Sequence, residues 1–452
     1  MRRRTTFGLL ALLAVATLVA AASLSDGIGK AGRFSSSRAL CPGCNVVLIS
    51  IDTLRADRLG AYGYQAPTSP NMDAFAADSA VFEDAISQSA WTRPAHASMF
   101  TGLYPREHGV IVMSRDKRLS PELPTLAGVL SASGYATAAF TGGANMAAHF
   151  GFGSGFDVYT SPGRRLEDNL PDAVEWMRGQ RGNPFFLFLH GFDPHRPYKS
   201  EAVDREALGL PEQRLGGIQR ACKTGSSPSD LAPYVAEYDA TVHRADRSFG
   251  RLMEALSQMQ LLDRTIVVLT SDHGEEFLEH GRCFHIRTLY AEVVRVPLIV
   301  SVPAFAPARI AGPVPASAAI AGTVLDLLGA DRGGLDGPSL VSSLRAGTSQ
   351  FESVYSETSS RQSSDGKHGH VRALTGRRYK IIDWVSQKRR EIYDLERDPA
   401  EMRPLVDEAL ERELAARLDR WIERHPVVAA PVATGAPPRK VVRGLRALGY
   451  LD

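Results

Sequence analysis

The sequence has little cysteine, and the few cysteines it has exclude a zinc-ribbon type of scaffold. Only four of its 452 residues are cysteine. Cys41 and Cys44 lie close together, but the segment Cys-Pro-Gly-Cys lacks the second pair that a tetrahedral zinc site requires. These two residues form either a small loop disulfide or a free pair. The sequence leaves open whether Cys222 and Cys283 pair.

The chain also lacks an excess of charge of either sign. Its 52 basic and 50 acidic residues give a net charge of +2, and neither sign forms long blocks beyond the N-terminus. This balance gives no sign of a nucleic-acid-binding surface, so no nucleic-acid partner is expected. No internal repeat is present.

The sequence has only one long apolar run, and it lies at the N-terminus. Residues 1–25 join a basic start to an apolar run over 7–22 and then small residues, the three-part layout of a signal peptide. The alternative is an uncleaved anchor, although the run is short for a span of about 20 residues. Both readings predict export to the periplasm, the extracellular space or an outward-facing membrane anchor. Membrane contact is expected only if the segment is uncleaved, and residues 26–44 then form a linker.

Three continuous apolar runs predict strands that are buried on both faces of a parallel sheet. They cover residues 46–51, 185–189 and 265–270. Between them, apolar residues recur at helical spacing, which predicts helices over 70–77, 125–133 and 234–259. This alternation predicts a doubly wound α/β fold with a mostly parallel sheet, formed by a catalytic domain over residues 45–330.

Beyond residue 330 the composition changes to loops rich in Gly and Ser. A strand over 379–384, a return through 392–395 and a helix over 408–424 follow. Residues 331–452 are therefore predicted to form a small C-terminal α+β subdomain.

Polar side chains that could carry chemistry follow the predicted strands. Asp52 ends the first strand, where it either meets a cation or caps a helix. Asp272 and His273 follow the strand over 265–270, and adjacent O and N donors at a strand end can reach one metal ion. A plain turn is the alternative there. His195, at the end of the strand over 185–189, joins the same edge of the sheet.

Thr92 precedes a helix that is predicted to begin just after Pro94. A hydroxyl at a helix N-terminus faces free backbone N–H groups and the positive end of the helix dipole, which favour an alkoxide and a neighbouring anion. Thr92 is thus a candidate nucleophile. The alternative is an ordinary helix N-cap ahead of a proline in the first turn.

Taken together, these segments resemble the sulfatase family of the alkaline phosphatase superfamily over nearly the whole mature chain. The resemblance rests on an ordered set of motifs: residues 45–57, Thr68-Ser69-Pro70-Asn71-Met72-Asp73, residues 98–109 with Thr-Gly-Leu-Tyr-Pro and His-Gly, Phe192-Asp193-Pro194-His195, Ser271-Asp272-His273-Gly274-Glu275, residues 295–299, and residues 391–395 with Asp398-Pro399.

The resemblance implies a role for each matching residue. It makes Asp52, Asp272 and His273 metal ligands and Thr92 a nucleophile that also touches the metal. His195 would contact the anionic group of the substrate. His285 is a further candidate for substrate binding, and His96 is a candidate orienting group near the helix start.

The sequence departs from the family at the nucleophile. Sulfatases carry Cys or Ser within Cys-x-Pro-x-Arg and oxidise it to formylglycine, whereas this chain has Thr-x-Pro-x-His at residues 92–96. Threonine cannot form that aldehyde hydrate, so a covalent intermediate must be attacked by water. Water attack suits a phosphoryl-threonine better than a sulfated one. No clear match to the lysine pair of sulfatases exists near residues 141–145.

The expected cofactor is a divalent metal ion. Thr53 stands where sulfatases usually place a second Asp, and His273 where they often place Asn, so zinc or manganese is favoured and calcium is possible. A second metal site would use Asp193, His195 and either His280 or His285. The short spacing between Asp193 and His195 leaves that second ion open.

The predicted function is therefore hydrolysis of a small-molecule, lipid or glycan ester, with phosphate esters or phosphodiesters favoured. The alternatives are a true sulfuric ester hydrolase, a phospho-group transferase and a catalytically silent glycan-binding protein.

Overall fold

A computed structural model of the chain describes the greater part of the sequence. The described residues are 39–111, 117–180, 182–212, 218, 221–222, 226–303, 305–360, 369–427, 435–448 and 450. The predicted signal peptide and all but the end of the predicted linker lie outside these residues. Within them, no helix is both long enough and apolar enough to cross a membrane.

Strands and helices alternate along the chain. The strands are β1 Asn45–Ile51, β2 Ala80–Ile86, β3 Ala136–Phe140, β4 Val158–Thr160, β5 Phe185–Gly191, β6 Thr265–Thr270, β7 Glu276–Phe277, β8 Cys283–Phe284, β9 Leu298–Ser301, β10 Ala308–Pro315, β11 Ser353–Ser359, β12 His370–Gly376, β13 Tyr379–Trp384 and β14 Arg389–Asp394. The helices are α1 Pro70–Ala77, α2 Thr92–Thr101, α3 Pro105–His108, α4 Leu126–Ala132, α5 Leu166–Gly179, α6 Ala202–Ala207, α7 Pro228–Gln258, α8 Ala291–Val294, α9 Ala319–Leu328, α10 Val341–Ala346, α11 Glu408–Arg424 and α12 Arg439–Ala447.

The central sheet has eight strands in the order β10-β2-β9-β6-β1-β5-β3-β4. Parallel pairing joins β6, β1, β5, β3 and β4, and also β10 with β2. Only β9, among the strands of this sheet, runs antiparallel to its neighbours. The predicted doubly wound α/β fold with a mostly parallel sheet is confirmed.

The central strand β1 is buried along its whole length, because helices cover both faces of the sheet. Val46 and Leu48 face one hydrophobic cluster, whereas Val47 and Ile49 face the other. Each fully buried side chain of this size contributes about 1.5–3 kcal/mol relative to exposure. The continuous apolar run is the sequence signature of this two-sided burial.

Two predicted helices have different bounds in the structure. The helix predicted over 125–133 is α4, and the Thr125 hydroxyl caps it by accepting from the Gly128 N–H at 3.1 Å. The helix predicted to start at residue 234 starts at Pro228, because Asp230 accepts the backbone N–H of Ser227 at 2.7 Å. Proline in the first turn also favours this earlier start.

The C-terminal part is a four-stranded antiparallel sheet, β11-β12-β13-β14, with α11 packed on it. Leu414 and Leu418 of α11 pack with Tyr355 and Ile381 of the sheet. The predicted α+β architecture of the C-terminal part is thus confirmed.

Both cysteine pairs are bonded in the structure. Cys41 pairs with Cys44 ahead of β1, and Cys222 pairs with Cys283 on β8. The second disulfide spans 61 residues of sequence. It ties the chain ahead of α7 to the β7–β8 hairpin.

Candidate active site

The ends of three adjacent parallel strands bring the site together. In the sheet, Ser50 of β1 lies beside His190 of β5 on one side and Thr270 of β6 on the other. The residues that follow these strands therefore emerge at one edge, which is where open α/β sheets bind ligands. Asp52 and Asp272 follow β1 and β6 at this edge.

Asp52, Asp272 and His273 form a group that could hold a metal ion. One ligand atom from each lies within 4.8 Å of the others, and all three side chains are fully buried. Asp52 Oδ1, Asp272 Oδ2 and His273 Nε2 have no hydrogen-bond partner. Unpartnered buried charges are costly, so this donor set fits a divalent cation.

The tautomer of His273 agrees with a metal ligand. Its Nδ1 lies 2.9 Å from the Gly274 carbonyl oxygen, which can only accept a hydrogen bond. Nδ1 therefore carries the proton, and the lone pair on Nε2 points toward the two carboxylates.

The carboxylates of Asp52 and Asp272 repel each other. Burial raises the pKa of Asp52 well above its ordinary value, and the neighbouring charge of Asp272 raises it further. Burial also acts to raise the pKa of Asp272, but His273 and His96 outweigh it and bring the pKa below its ordinary value. A cation between them would remove this repulsion.

Thr92 begins α2 and lies beside the same carboxylates. Its hydroxyl donates to Asp52 Oδ2 at 3.2 Å, and the residue is fully buried. The N-cap position belongs to Trp91, which makes no side-chain cap, so Thr92 does not serve as the N-cap. The helix begins two residues before Pro94 rather than after it, because proline is tolerated in the first turn, where its missing N–H is not needed.

His96 lies one turn along α2 from Thr92. Its Nδ1 is 2.8 Å from the Thr92 backbone carbonyl oxygen, and its Nε2 is 3.0 Å from Ser50 Oγ. Burial lowers its pKa to about 3, so the ring is neutral. His96 contacts the backbone of Thr92 and not its hydroxyl, which suits positioning of the helix start on β1.

His195 and His285 lie next to each other near Thr92. Their ring centroids are 5.2 Å apart, and both residues are buried. His195 Nδ1 lies 2.6 Å from the Arg196 carbonyl oxygen, and His285 Nδ1 lies 2.8 Å from Glu275 Oε1. Each ring thus directs its Nε2 into the same volume. Burial lowers the pKa of both histidines well below the ordinary value, so both are neutral at neutral pH.

Tyr450 enters this volume from the C-terminal segment. Its hydroxyl lies 3.2 Å from Thr92 Oγ1, 3.3 Å from His195 Nε2 and 2.9 Å from His285 Nε2. Sequence reasoning missed this residue, since an aromatic residue far beyond the last family motif gives no sign of its position.

Two of the residues proposed for a second metal site, Asp193 and His280, are engaged in other contacts. Asp193 accepts from Arg244 through Oδ1 at 2.8 Å and from the Leu166 N–H through Oδ2 at 2.7 Å. His280 binds Glu292 through Nδ1 at 2.7 Å and the Glu401 carbonyl through Nε2 at 2.9 Å. Among the residues that the structure describes, Asp52, Asp272 and His273 are the one group with metal-binding geometry.

The long helix α7 holds two parts of the site in place. The Tyr238 hydroxyl donates to the Thr53 carbonyl at 2.7 Å and accepts from the Arg55 N–H at 3.1 Å. Six residues further along, Arg244 binds Asp193 beside the His195 loop. Thr53 adopts a left-handed φ of 59°, a conformation that is unfavourable for a β-branched residue. Its strained backbone N–H points at Asp272 Oδ1, 3.3 Å away.

Two further site residues had weak signals in the sequence. His190 Nε2 lies 3.6 Å from Asp52 Oδ2 and has no hydrogen-bond partner. Glu275 is fully buried behind His285 and also accepts from the Tyr198 hydroxyl at 3.0 Å. Their only signals are position: His190 lies at the end of a strand and Glu275 follows Gly274.

Comparison with known proteins identifies the family. The profile described as "Sulfatase" matches residues 44–330, well over half of the chain. The chain belongs to the sulfatase family. A second profile, "N-sulphoglucosamine sulphohydrolase, C-terminal", matches residues 278–426 of this sulfatase-family chain. The family lies within the alkaline phosphatase superfamily, and its members of this type are ester hydrolases.

The names of individual relatives of this chain refer to different substrates. Dog (Canis lupus familiaris) arylsulfatase K is 26% identical over 377 residues, which cover 71% of this chain and 70% of the relative. Other curated relatives, the mouse and rat forms and human iduronate 2-sulfatase, are matched over 55% to 60% of their own length.

Solved structures share the fold at low identity. A protein in complex with its substrate D-glucosamine-2-N,6-O-disulfate has a TM-score of 0.72 at 20% identity, covering 85% of this chain and 98% of that one. The phosphonate monoester hydrolase of Agrobacterium radiobacter has a TM-score of 0.71 at 20% identity, covering 87% of this chain and 100% of the other. The fold is therefore common to enzymes that act on sulfur and on phosphorus.

Proposed function

We propose that this sulfatase-family hydrolase cleaves phosphate monoesters or phosphodiesters, with Thr92 as an unmodified nucleophile. One observation carries the proposal. The Thr92 hydroxyl lies 3.2 Å from Asp52 Oδ2, at the edge of a buried donor set whose remaining ligand atoms have no partner.

Asp52, Asp272, His273 and Thr92 would hold the divalent ion, for which we favour zinc or manganese over calcium. The mix of two carboxylates, one imidazole and one hydroxyl supports this choice. When bound, such an ion supplies Lewis-acid polarisation of the ester and lowers the pKa of the hydroxyl.

In the first step, Thr92 Oγ attacks phosphorus and its proton passes to Asp52 Oδ2. The bond from phosphorus to the ester oxygen breaks, and the alcohol leaves as its anion, which takes a proton from solvent. The product of this step is a phosphoryl-threonine. Its formation requires the reacting atoms to approach within about 3–3.5 Å, which the closely packed start of α2 favours.

In the second step, water attacks the phosphoryl-threonine. His285 Nε2 accepts the proton of the water and then releases it to solvent, and Glu275, which accepts a hydrogen bond from His285 Nδ1, stabilises the transient imidazolium. The bond from phosphorus to Thr92 Oγ breaks, and this oxygen takes back the proton from Asp52. His195 would contact the anionic oxygens during both steps.

Threonine at the position of the nucleophile supports a phosphoryl rather than a sulfuryl substrate. A sulfated threonine has no second hydroxyl through which sulfate could be expelled, whereas a phosphoryl-threonine is open to water. The alternative, a true sulfuric ester hydrolase, is favoured by the names of the relatives, which include arylsulfatase K and iduronate 2-sulfatase. The fold is shared with a phosphonate monoester hydrolase, so it is compatible with a phosphorus ester as substrate.

A single assay distinguishes these candidates. One aryl group is supplied as the phosphate monoester, the phosphodiester and the sulfate, with zinc, manganese or calcium added to chelator-treated protein. We expect the highest kcat/KM for a phosphorus ester with zinc or manganese. Faster turnover of the sulfate with every metal would overturn the proposal and assign the protein to the sulfuric ester hydrolases.

We further propose that the protein is exported. Residues 1–25 support this through their signal-like layout. The bonded pairs Cys41–Cys44 and Cys222–Cys283 support it as well, because structural disulfides persist in oxidising compartments.

A further inference from the structure

The proposed catalytic centre is closed in this structure, and part of the C-terminal segment closes it. Thr92, Asp52, Asp272 and His273 have no solvent-exposed surface. The Tyr450 hydroxyl occupies the volume bounded by Thr92 Oγ1 and the two Nε2 atoms of His195 and His285. An ester has to enter this same volume to meet the nucleophile.

The Tyr450 hydroxyl and an ester would compete for the same space beside Thr92 Oγ1. The Tyr450 oxygen is 3.2 Å from Thr92 Oγ1. A substrate phosphorus or sulfur atom must come within about 3–3.5 Å of the same oxygen before reaction. The phenol lies on the side of Thr92 that faces His195 and His285, so an ester approaching Thr92 Oγ1 from that side would overlap it. Tyr450 must therefore leave before an ester can react.

The contacts of Tyr450 resemble those of a bound aryl alcohol. Its phenolic oxygen meets the nucleophile and both histidines, and its ring lies against the ring of His195 with centroids 5.7 Å apart at 29°. A phenol carries one O–H, so it can donate to only one of the acceptors around it.

The segment that carries Tyr450 packs on the main core of the protein. Leu445 and Leu448 are buried against the main core, and the Gly435 carbonyl lies 3.1 Å from His149 Nε2. The helix α12 has only nine residues, and an isolated helix of this length is marginal in water. Its stability depends on this packing, so its local opening should cost much less than global unfolding.

We propose that Tyr450 is an intramolecular competitor for the substrate, and that residues 435–448 with Tyr450 must be displaced before an ester binds. This inference rests on the proposed function for the identity of the ester. The competition itself concerns only which group occupies the space beside Thr92. Apparent affinity then falls by the fraction of molecules that are open.

The first test uses the full chain loaded with zinc or manganese and inorganic phosphate as the probe. The exposed basic residues of α12 are sites for trypsin once the helix opens: Arg439, Lys440, Arg443 and Arg446. We expect the rate of cleavage in this segment to rise and saturate as phosphate is added. A cleavage rate that does not change while calorimetry shows phosphate binding would overturn the inference.

The second test compares affinities and needs no turnover. We expect Tyr450→Ala to bind phosphate about tenfold more tightly than the natural chain, because the competitor is removed. The matched control is Arg443→Gln, an exposed change on the same helix, which should leave the affinity unchanged. Equal phosphate affinity in Tyr450→Ala and the natural chain, or no binding by either, would overturn the inference.

The third test uses whichever aryl ester is turned over. Competition predicts a KM about tenfold lower in Tyr450→Ala and lower also in Tyr450→Phe, with kcat unchanged or raised. A kcat that falls tenfold or more in both variants at unchanged KM would show instead that the hydroxyl takes part in catalysis. If no ester is turned over by any variant, the proposed function fails while the binding and proteolysis tests still decide the competition.

Discussion

Two buried polar clusters in this protein use similar side chains in opposite ways. At the site, Asp52, Asp272 and His273 each keep a ligand atom without a partner. The second, which we call the interface cluster, comprises Lys380, Glu401, His280 and Glu292. There Lys380 Nζ lies 2.7 Å from Glu401 Oε1, and His280 Nδ1 lies 2.7 Å from Glu292 Oε1.

The difference separates what stabilises the fold from what performs chemistry. The interface cluster joins the C-terminal sheet to the β7–β8 region, and its charges are neutralised by one another. The site keeps two carboxylates close together at a cost in free energy, which a metal ion would recover. Substitutions should therefore affect stability in one cluster and metal binding or turnover in the other.

The largest expected effect is on turnover at the site. Thr92→Ala removes the nucleophile and with it the covalent step, so we expect kcat to fall by about 10³-fold or more. The thermal midpoint should change little. The matched control is Thr101→Ser on the same helix, where the hydroxyl donates to the Ala97 carbonyl at 2.7 Å. A Thr92→Ala enzyme that kept a tenth of its activity would contradict the assignment.

The next largest effect is on folding at the interface cluster. Glu401→Gln leaves the Lys380 ammonium buried beside a neutral group, so we expect the free energy of unfolding to fall by about 3–5 kcal/mol. Denaturant titration measures this loss. The control Glu396→Gln removes an exposed carboxylate that lies 3.6 Å from Arg378 Nε, and should change stability by less than about 0.5 kcal/mol. Equal losses in the two variants would remove the distinction between the clusters.

A smaller effect is expected from Asp52→Asn. This change should abolish metal binding and, with it, the stabilisation that a metal gives, about 2.7 kcal/mol at roughly 100 times its Kd. Without metal, the variant should be as stable as the natural chain or more so, because the repulsion between Asp52 and Asp272 is gone. Metal analysis and unfolding with and without chelator measure both effects. One bound metal per chain in the variant would contradict the ligand assignment.

The smallest effect is a pH dependence in the interface cluster. Burial acts to lower the pKa of His280, but Glu292 outweighs it and raises the pKa to about 9. The charged ring thus stabilises the fold fully below its unfolded pKa of about 6.5, and this stabilisation is lost as pH rises through about 9. We expect a loss of about 1–2 kcal/mol over this range. His280→Gln should flatten that part of the curve, and an unchanged curve would show that other groups cause it.

Much of the fold was predictable because its central strands give two signals in the sequence, an apolar run and a polar residue just after it. The run at residues 46–51 is apolar except for Ser50 and is followed by Asp52, so both the buried strand and its polar end are visible. The run at 265–270 ends in Asp272 and His273 in the same way. Adjacent parallel strands end at the same edge of a sheet, and this brings the side chains that follow them together.

The rest depended on contacts that no local pattern records. Tyr450 reaches Thr92 across 358 positions of sequence. Asp193 has the position expected of a metal ligand, yet Arg244 of α7 occupies its Oδ1. Such pairings depend on how one element packs on another. They leave the hydrophobic periodicity of each element unchanged, so the sequence pattern does not reveal them.

The helix α7 sets the distance between the strand end at the proposed metal site and the loop that carries His195. Its two anchors, Tyr238 to Thr53 and Arg244 to Asp193, lie six residues apart, which is about 9 Å along a helix axis. A single residue inserted between them would lengthen this spacing by about 1.5 Å and turn one anchor by about 100°. Natural or engineered variants of this enzyme should therefore tolerate insertions and deletions on either side of this interval. Within the interval, the number of residues fixes the distance between two parts of the active site.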